Sequence, residues 1–217
     1  MKHTEHRKKV DTHEDFMKHA VNSIGFTHDH KMKEIIDGAI DSNATHIELT
    51  YKKSTSSTKD SEVKLFKCKD NGDGFDNPVV GIIDELTSYG KKKTDPSKIG
   101  TYGIGTTTAL REWLVQDGAD IHIHSVDKKG RWSDVISEVE DLDVYYDVAL
   151  SGNCSEKSGT EMTINGIDTS MRTSSLIRDL EACYYPTYNN MKDRGFNFTM
   201  SLNGDNVKFI DPLYRDI

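Results

Sequence analysis

At 217 residues the chain is long enough to bury one substantial core and does not require a second domain. Its net charge of −8 and pI near 5.6 exclude a surface that grips nucleic acid over its whole extent, although a local basic patch remains compatible with them. Three cysteines, Cys68, Cys154 and Cys183, are odd in number and lack paired spacing, which argues against a disulfide framework or a cysteine-built zinc site. The basic start of the sequence has no apolar core like that of a signal peptide, and no later run approaches a membrane span, so a cytoplasmic protein is expected.

In chain order, residues 1 to about 11 are polar and histidine-rich and read as an exposed arm. Phe16, Ala20, Val21 and Ile24 then form a helical stripe over residues 11–24, closed by Gly25. This arm and helix, residues 1–27, are set apart from a main domain spanning 28–217. The domain starts with the stretch on which the rest is organised, Lys31 to Thr50. Ile35, Ile36, Ala39 and Ile40 recur at helical spacing, while Glu34, Asp37 and Asp41 line a neighbouring polar face. From Thr45 the period switches to two, with Ile47 and Leu49 on one side, so the helix over 28–43 hands directly onto a strand over 45–51.

A polar connection over 52–61 leads to a second strand through Val63, Leu65 and Cys68. That strand ends in Asp70-Asn71-Gly72-Asp73-Gly74, an acid followed by two glycines, which lets backbone approach a ligand closely. A short helix over 78–89 and a charged, weakly hydrophobic segment from Gly90 to Lys98 follow. The run Gly100-Thr101-Tyr102-Gly103-Ile104-Gly105 then opens a helix through Ala109, Leu110, Trp113 and Leu114. Glycines ahead of a helix N-terminus leave N–H groups and the positive end of the helix dipole open to a phosphate.

The remainder is rich in strands, at 120–127, 131–136, 144–150, 160–165 and 196–202, interrupted by one helix over 170–185. Interspersed helices and strands with many antiparallel connections predict an α+β fold: a two-layer α/β sandwich on a mixed, mainly antiparallel sheet.

The order of these glycine motifs resembles the GHKL superfamily, the Bergerat ATP-binding fold shared by type II topoisomerases, Hsp-family chaperones, MutL-type repair proteins, MORC proteins and histidine-kinase catalytic domains. The likeness covers roughly residues 28–166, and the run SKIGTYGIG is most similar in style to MORC and MutL-type ATPases. It implies ATP and Mg²⁺ as ligands. Glu34 inherits the role of general base on the attacking water, and Asp70 that of acceptor for the adenine amino group, with Gly72 and Gly74 shaping its turn. Gly100, Gly103, Ile104, Gly105 and Thr106 would form the lid hinge and phosphate-binding amides. Lys98, with Lys91 to Lys93, would neutralise γ-phosphate charge, and the Thr160 hydroxyl would support the adenine acid.

One position departs from the family pattern. Four residues after the base, where the family usually places a magnesium-coordinating asparagine, this chain has Gly38. No side chain of the protein is therefore assigned to the metal, and slow turnover is expected. Asp37 or Asp41 could reach the ion through water, and Asp41 alternatively supports the helix–strand junction.

The resemblance also implies a nucleotide-dependent homodimer, and a protein partner or DNA engaged through a separate domain. The second reading is a nucleotide-binding regulatory module with little turnover. A histidine kinase ranks third, since no phosphoacceptor helix is evident. His28-Asp29-His30 and His122-x-His124 read as solvated or locally bonded histidines rather than metal ligands.

Overall fold

The computed structural model describes residues 4–9, 27–53, 63–75, 105–140 and 143–214. Helix α1 (His28–Asp41) forms where the sequence pattern requires it. Met32, Ile35, Ile36, Ala39 and Ile40 are all buried on one face. The helix ends where Asn43 turns left-handed at φ 63°, a conformation that a short amide side chain tolerates. Ser42 closes the last turn, its Oγ donating to the Gly38 carbonyl at 2.9 Å.

Strand β2 (His46–Lys53) follows, burying Ile47, Leu49 and Tyr51 and exposing His46 and Glu48. It pairs antiparallel with β3 (Val63–Asp70). Helix α2 (Gly105–Glu112) packs on α1 through Ala109 and Leu110 and continues as a π-helical turn, Trp113–Asp117. Gly118, at φ 64°, then releases the chain into β4 (Asp120–Val126). Strands β5 (Arg131–Glu140), β6 (Asp143–Asn153) and β7 (Gly159–Asp168) complete the central run.

Among the described residues, nine strands form one sheet in the order β1-β6-β5-β4-β7-β3-β2-β8-β9, where β8 is Thr199–Leu202 and β9 Asp205–Asn206. Every pairing is antiparallel except β2 with β8. The mixed, mainly antiparallel sheet and the two-layer arrangement are thus as the sequence predicts. Helices cover one face, and their buried residues join those of β2, β3, β4 and β7 in a single apolar cluster. The opposite face is polar along its middle, with Lys67 paired to Glu161 at 2.5 Å.

Two expectations are corrected. Residues 4–9, expected in an exposed arm, form β1 (Thr4–Lys9), which hydrogen-bonds antiparallel to β6 at the sheet edge. An edge strand needs only a partner's free backbone groups, so its sequence carries no apolar alternation. The single helix expected over 170–185 is two: α3 (Thr173–Cys183), burying Leu176 and Leu180, and α4 (Tyr185–Asp193). Pro186 sits in the first turn of α4, where its missing N–H costs nothing but the preceding helix cannot continue. The helices expected over 11–24 and 78–89 lie outside the described residues.

Candidate functional site

Three adjacent strands and the end of α1 build the surroundings of Asp70. Its Oδ1 accepts hydrogen bonds from the N–H of Gly72, at 2.8 Å, and of Thr160, at 3.3 Å. Burial outweighs these bonds and pushes its carboxyl up to about 6 from an ordinary value of 3.8. The glycines are required by close approach. A Cβ at Gly72 would lie 2.6 Å from the Ser42 carbonyl oxygen, and one at Gly159 would run into the carbonyl oxygen of Asp70. Gly74, at φ 67°, presses against the Val126 carbonyl on β4, where any side chain would collide.

The turn after Asp70 is tied to the helix that precedes β2. Asn71 Oδ1 accepts from the N–H groups of Thr45, at 2.9 Å, and His46, at 2.8 Å, while Asp73 N–H donates to the Ser42 carbonyl at 2.7 Å. Asn43 Nδ2 donates to Asp73 Oδ2 at 2.7 Å, and Lys128 pairs with the same oxygen at 2.8 Å. The left-handed Asn43 that stops α1 therefore also anchors the Asp70 turn.

At the middle of α1, Glu34 meets the start of α2. Gly105 is packed so closely on the Glu34 carboxylate that a Cβ there would overlap it. Thr106 Oγ1 donates to the Glu34 backbone carbonyl at 3.3 Å. Gly105 and Thr106 open α2, so the Glu34 carboxylate sits beside the first residues of that helix. Gly38, one turn along α1, faces the same place: a Cβ there would lie 3.5 Å from Thr106 Oγ1. Among the described residues, no group of three His, Cys, Asp or Glu side chains is arranged to hold a metal ion. A magnesium ion carried by a triphosphate does not need one, since it takes phosphate oxygens and water with one or two protein oxygens. The side-chain oxygen that faces Gly38 is the Thr106 hydroxyl.

Asp37 is directed elsewhere. Its Oδ1 accepts from the Tyr184 hydroxyl at 2.9 Å, and Tyr184 also reaches the Lys33 carbonyl at 3.3 Å. Burial, with the Glu34 and Asp41 carboxylates nearby, pushes Asp37 up to about 6, and the Tyr184 bond opposes the rise. Asp41 is buried at the end of α1, beside the first turns of α4 in a groove of about 380 Å³. Behind the site, Lys31 and Glu112 form a buried ion pair at 2.8 Å that joins α1 to α2, with the Lys31 ammonium 6.0 Å from the Trp113 ring centre.

Of the residues singled out from sequence, the structure brings Asp70, Gly72, Gly74 and Thr160 together past the C-terminal end of α1 and Glu34, Gly105 and Thr106 together at its middle. Lys91 to Lys93, Lys98, Gly100, Gly103 and Ile104 lie outside the described residues. Thr160 reaches Asp70 through its backbone N–H, while its hydroxyl is 3.1 Å from Ser125 Oγ. Ser125 was not foreseen: buried on β4, it also accepts from Phe75 N–H at 3.0 Å and so ties β4 to the Asp70 turn. Only its place on the buried side of a strand, among apolar neighbours, could have marked it. His122 and His124 both hydrogen-bond Asp134 Oδ1, at 3.1 and 2.9 Å, as locally satisfied histidines do.

No family model matches the sequence, and neither does any curated protein. Solved structures do match. The ATPase region of Saccharomyces cerevisiae topoisomerase II, in its complex with dexrazoxane, superposes with a TM-score of 0.52 at 12% identity, over 84% of this chain and 49% of that one. The same region in a second structure gives 0.51 at 11% identity, over 96% and 56%. The ATPase and transducer domains of DNA topoisomerase II from Balamuthia mandrillaris give 0.52 at 15% identity, over 82% and 48%.

The chain has the GHKL fold. At these identities the likeness is one of fold, and the chain spans about half the length of the structures it matches. No helix among the described residues is long and apolar enough to cross a membrane.

Proposed function

We propose that this GHKL-fold chain binds Mg-ATP and hydrolyses it to ADP and phosphate. The observation that carries the proposal is the packing of the Glu34 carboxylate against Gly105 at the start of α2, with the Asp70 turn held against Ser42 at the C-terminal end of α1. A carboxylate beside an anion-binding helix end suits attack on a terminal phosphate, and a buried acid among close backbone suits an exocyclic amine. Above pH 6 the Asp70 carboxylate is ionised and its Oδ2 accepts a hydrogen bond from the adenine amino group, which guanine replaces with a carbonyl. The first-turn amides of α2 hold phosphate oxygens. Glu34 takes a proton from water as its oxygen bonds the γ-phosphorus and the bond to the β-phosphate oxygen breaks. Magnesium, when bound, neutralises phosphate charge as it builds on the leaving oxygen.

Lys98, Gly100, Gly103 and Ile104 are proposed as parts of a lid that orders over the γ-phosphate, with closure driving homodimerisation or the rearrangement of a partner. The names of the matched structures, ATPase regions of topoisomerase II, support ATP as the ligand and its hydrolysis as the reaction. The second reading, a nucleotide-binding regulatory module with little turnover, is favoured by one observation, the absence of a side chain at Gly38.

Nucleotide affinity and phosphate release measured on wild type, Glu34→Ala and Asp70→Asn separate these readings. Hydrolysis predicts that Glu34→Ala binds ATP but loses turnover by at least about a hundredfold, the usual contribution of a general base. Asp70→Asn is expected to lose binding. Turnover indifferent to Glu34→Ala would remove the proposed mechanism, and failure of the wild type to bind any adenine nucleotide would remove both readings.

A further inference from the structure

The side chain missing at Gly38 leaves a specific neighbour. Apart from the backbone of its own helix, the described atom within 4 Å of a Cβ built there is Thr106 Oγ1, at 3.5 Å. The threonine hydroxyl therefore stands over the glycine, where a longer residue on α1 would have projected. Its hydrogen is engaged by the Glu34 backbone carbonyl at 3.3 Å, which orients the oxygen lone pairs away from α1. Gly105, the preceding residue, abuts the Glu34 carboxylate itself. The Thr106 hydroxyl and the Glu34 carboxylate are thus both set at the junction of α1 with the start of α2.

From this placement we infer that the Thr106 hydroxyl replaces the absent side chain at residue 38 as the protein oxygen serving the nucleotide-bound magnesium ion. The inference rests on the Mg-ATP reading above. A neutral oxygen suits this role, because Mg²⁺ prefers oxygen donors, keeps several waters, and is usually held by few protein groups plus phosphate. A hydroxyl held by donation to a carbonyl is also pre-oriented, so little rotamer freedom is lost when it binds. Gly38 and Thr106 then form a compensating pair, a glycine on one helix making room for a hydroxyl from the next.

The test uses Mn²⁺ as a spectroscopic stand-in for Mg²⁺. Electron paramagnetic resonance measures Mn²⁺ affinity for the protein saturated with AMPPNP, and AMPPNP affinity is measured separately in EDTA. Thr106→Val, which keeps the shape and removes the oxygen, is expected to weaken Mn²⁺ binding by about tenfold or more, the range seen when groups supporting a metal are lost. AMPPNP binding in EDTA is measured on the same variant, and retained binding shows that it is folded. Thr106→Ser should retain wild-type Mn²⁺ affinity, and Gly38→Asn placed in the Thr106→Val background should restore it.

Mn²⁺ affinity of Thr106→Val equal to wild type, with nucleotide binding intact, would overturn the assignment and leave the ATP reading standing. Absence of AMPPNP binding by the wild type in EDTA and with Mg²⁺ would overturn the ATP reading and the assignment with it. Should Thr106→Val lose nucleotide binding in EDTA as well, Thr106→Ser decides: loss of Mn²⁺ affinity there, with nucleotide bound, overturns the assignment, and retention supports it.

Discussion

Asp70→Asn is expected to make the protein more stable while disabling it. In the folded chain the carboxyl is pushed up to about 6 from 3.8, because burial outweighs the two backbone N–H bonds it accepts. Below pH 3.8 the acid is protonated in folded and unfolded chains alike and contributes nothing. Between 3.8 and 6 the unfolded chain gives up the proton first, so stability falls as pH rises, by about 1.4 kcal/mol per unit. Above 6 the loss is complete, at about 3 kcal/mol from a shift of roughly two units.

Asparagine keeps the carbonyl oxygen that accepts from Gly72 and Thr160 and never ionises. Urea unfolding of wild type and variant should therefore coincide near pH 3.5 and diverge to as much as about 3 kcal/mol in favour of the variant by pH 8. Asp37 also titrates, but it is common to both proteins and cancels in the difference. Curves that run parallel from pH 4 to 8, or a variant less stable at pH 8 than at pH 4 relative to wild type, would refute the premise that Asp70 is held ionised at a cost.

Two further perturbations probe how the helices are held. Lys31→Met strands Glu112 in the core and is expected to cost about 3–5 kcal/mol in denaturant unfolding, whereas Lys31→Met with Glu112→Leu recovers most of it; equal losses in single and double variants would deny that the pair is coupled. Tyr184→Phe removes the donor that opposes the rise of Asp37. The carboxyl should move further above 6 and stability should drop by about 1–3 kcal/mol at pH 8 but less at pH 4, where Asp37 is protonated; identical losses at the two pH values would sink this account.

What could be read from sequence follows the range of each signal. The α1 stripe and the switch to period two at Thr45 are local, so helix, strand and core side were legible together. The glycines after Asp70 were legible because close backbone approach leaves only one residue type. Helix α4 was missed for a physical reason: none of its residues is fully buried, so no apolar stripe marks it. Strand β1 was missed because pairing at an edge is made by backbone and leaves the side chains free to be polar. Ser125 and Asp134 act on residues brought to them by strand pairing, Ser125 on Phe75 and Thr160, and Asp134 on His122 and His124. Such partners follow from register rather than from any local motif.

The place of β7 in the sheet has a consequence for how the molecule comes together. Among the described strands, four lie to one side of it, β4, β5, β6 and β1, and four to the other, β3, β2, β8 and β9, and β7 is the strand that pairs with both sets. Asp70 and Thr160, 90 residues apart in sequence, meet across that seam. Closing so long a loop is slow compared with forming the neighbouring hairpin of β2 and β3, so the surroundings of Asp70 belong to the late part of folding. In pulse-labelled hydrogen exchange the amides of β3 that face β2 should gain protection before that of Thr160, and simultaneous protection would contradict the order. A nucleotide that depends on Asp70 then acts as a reporter of completed assembly, engaging only chains whose two half-sheets have been joined.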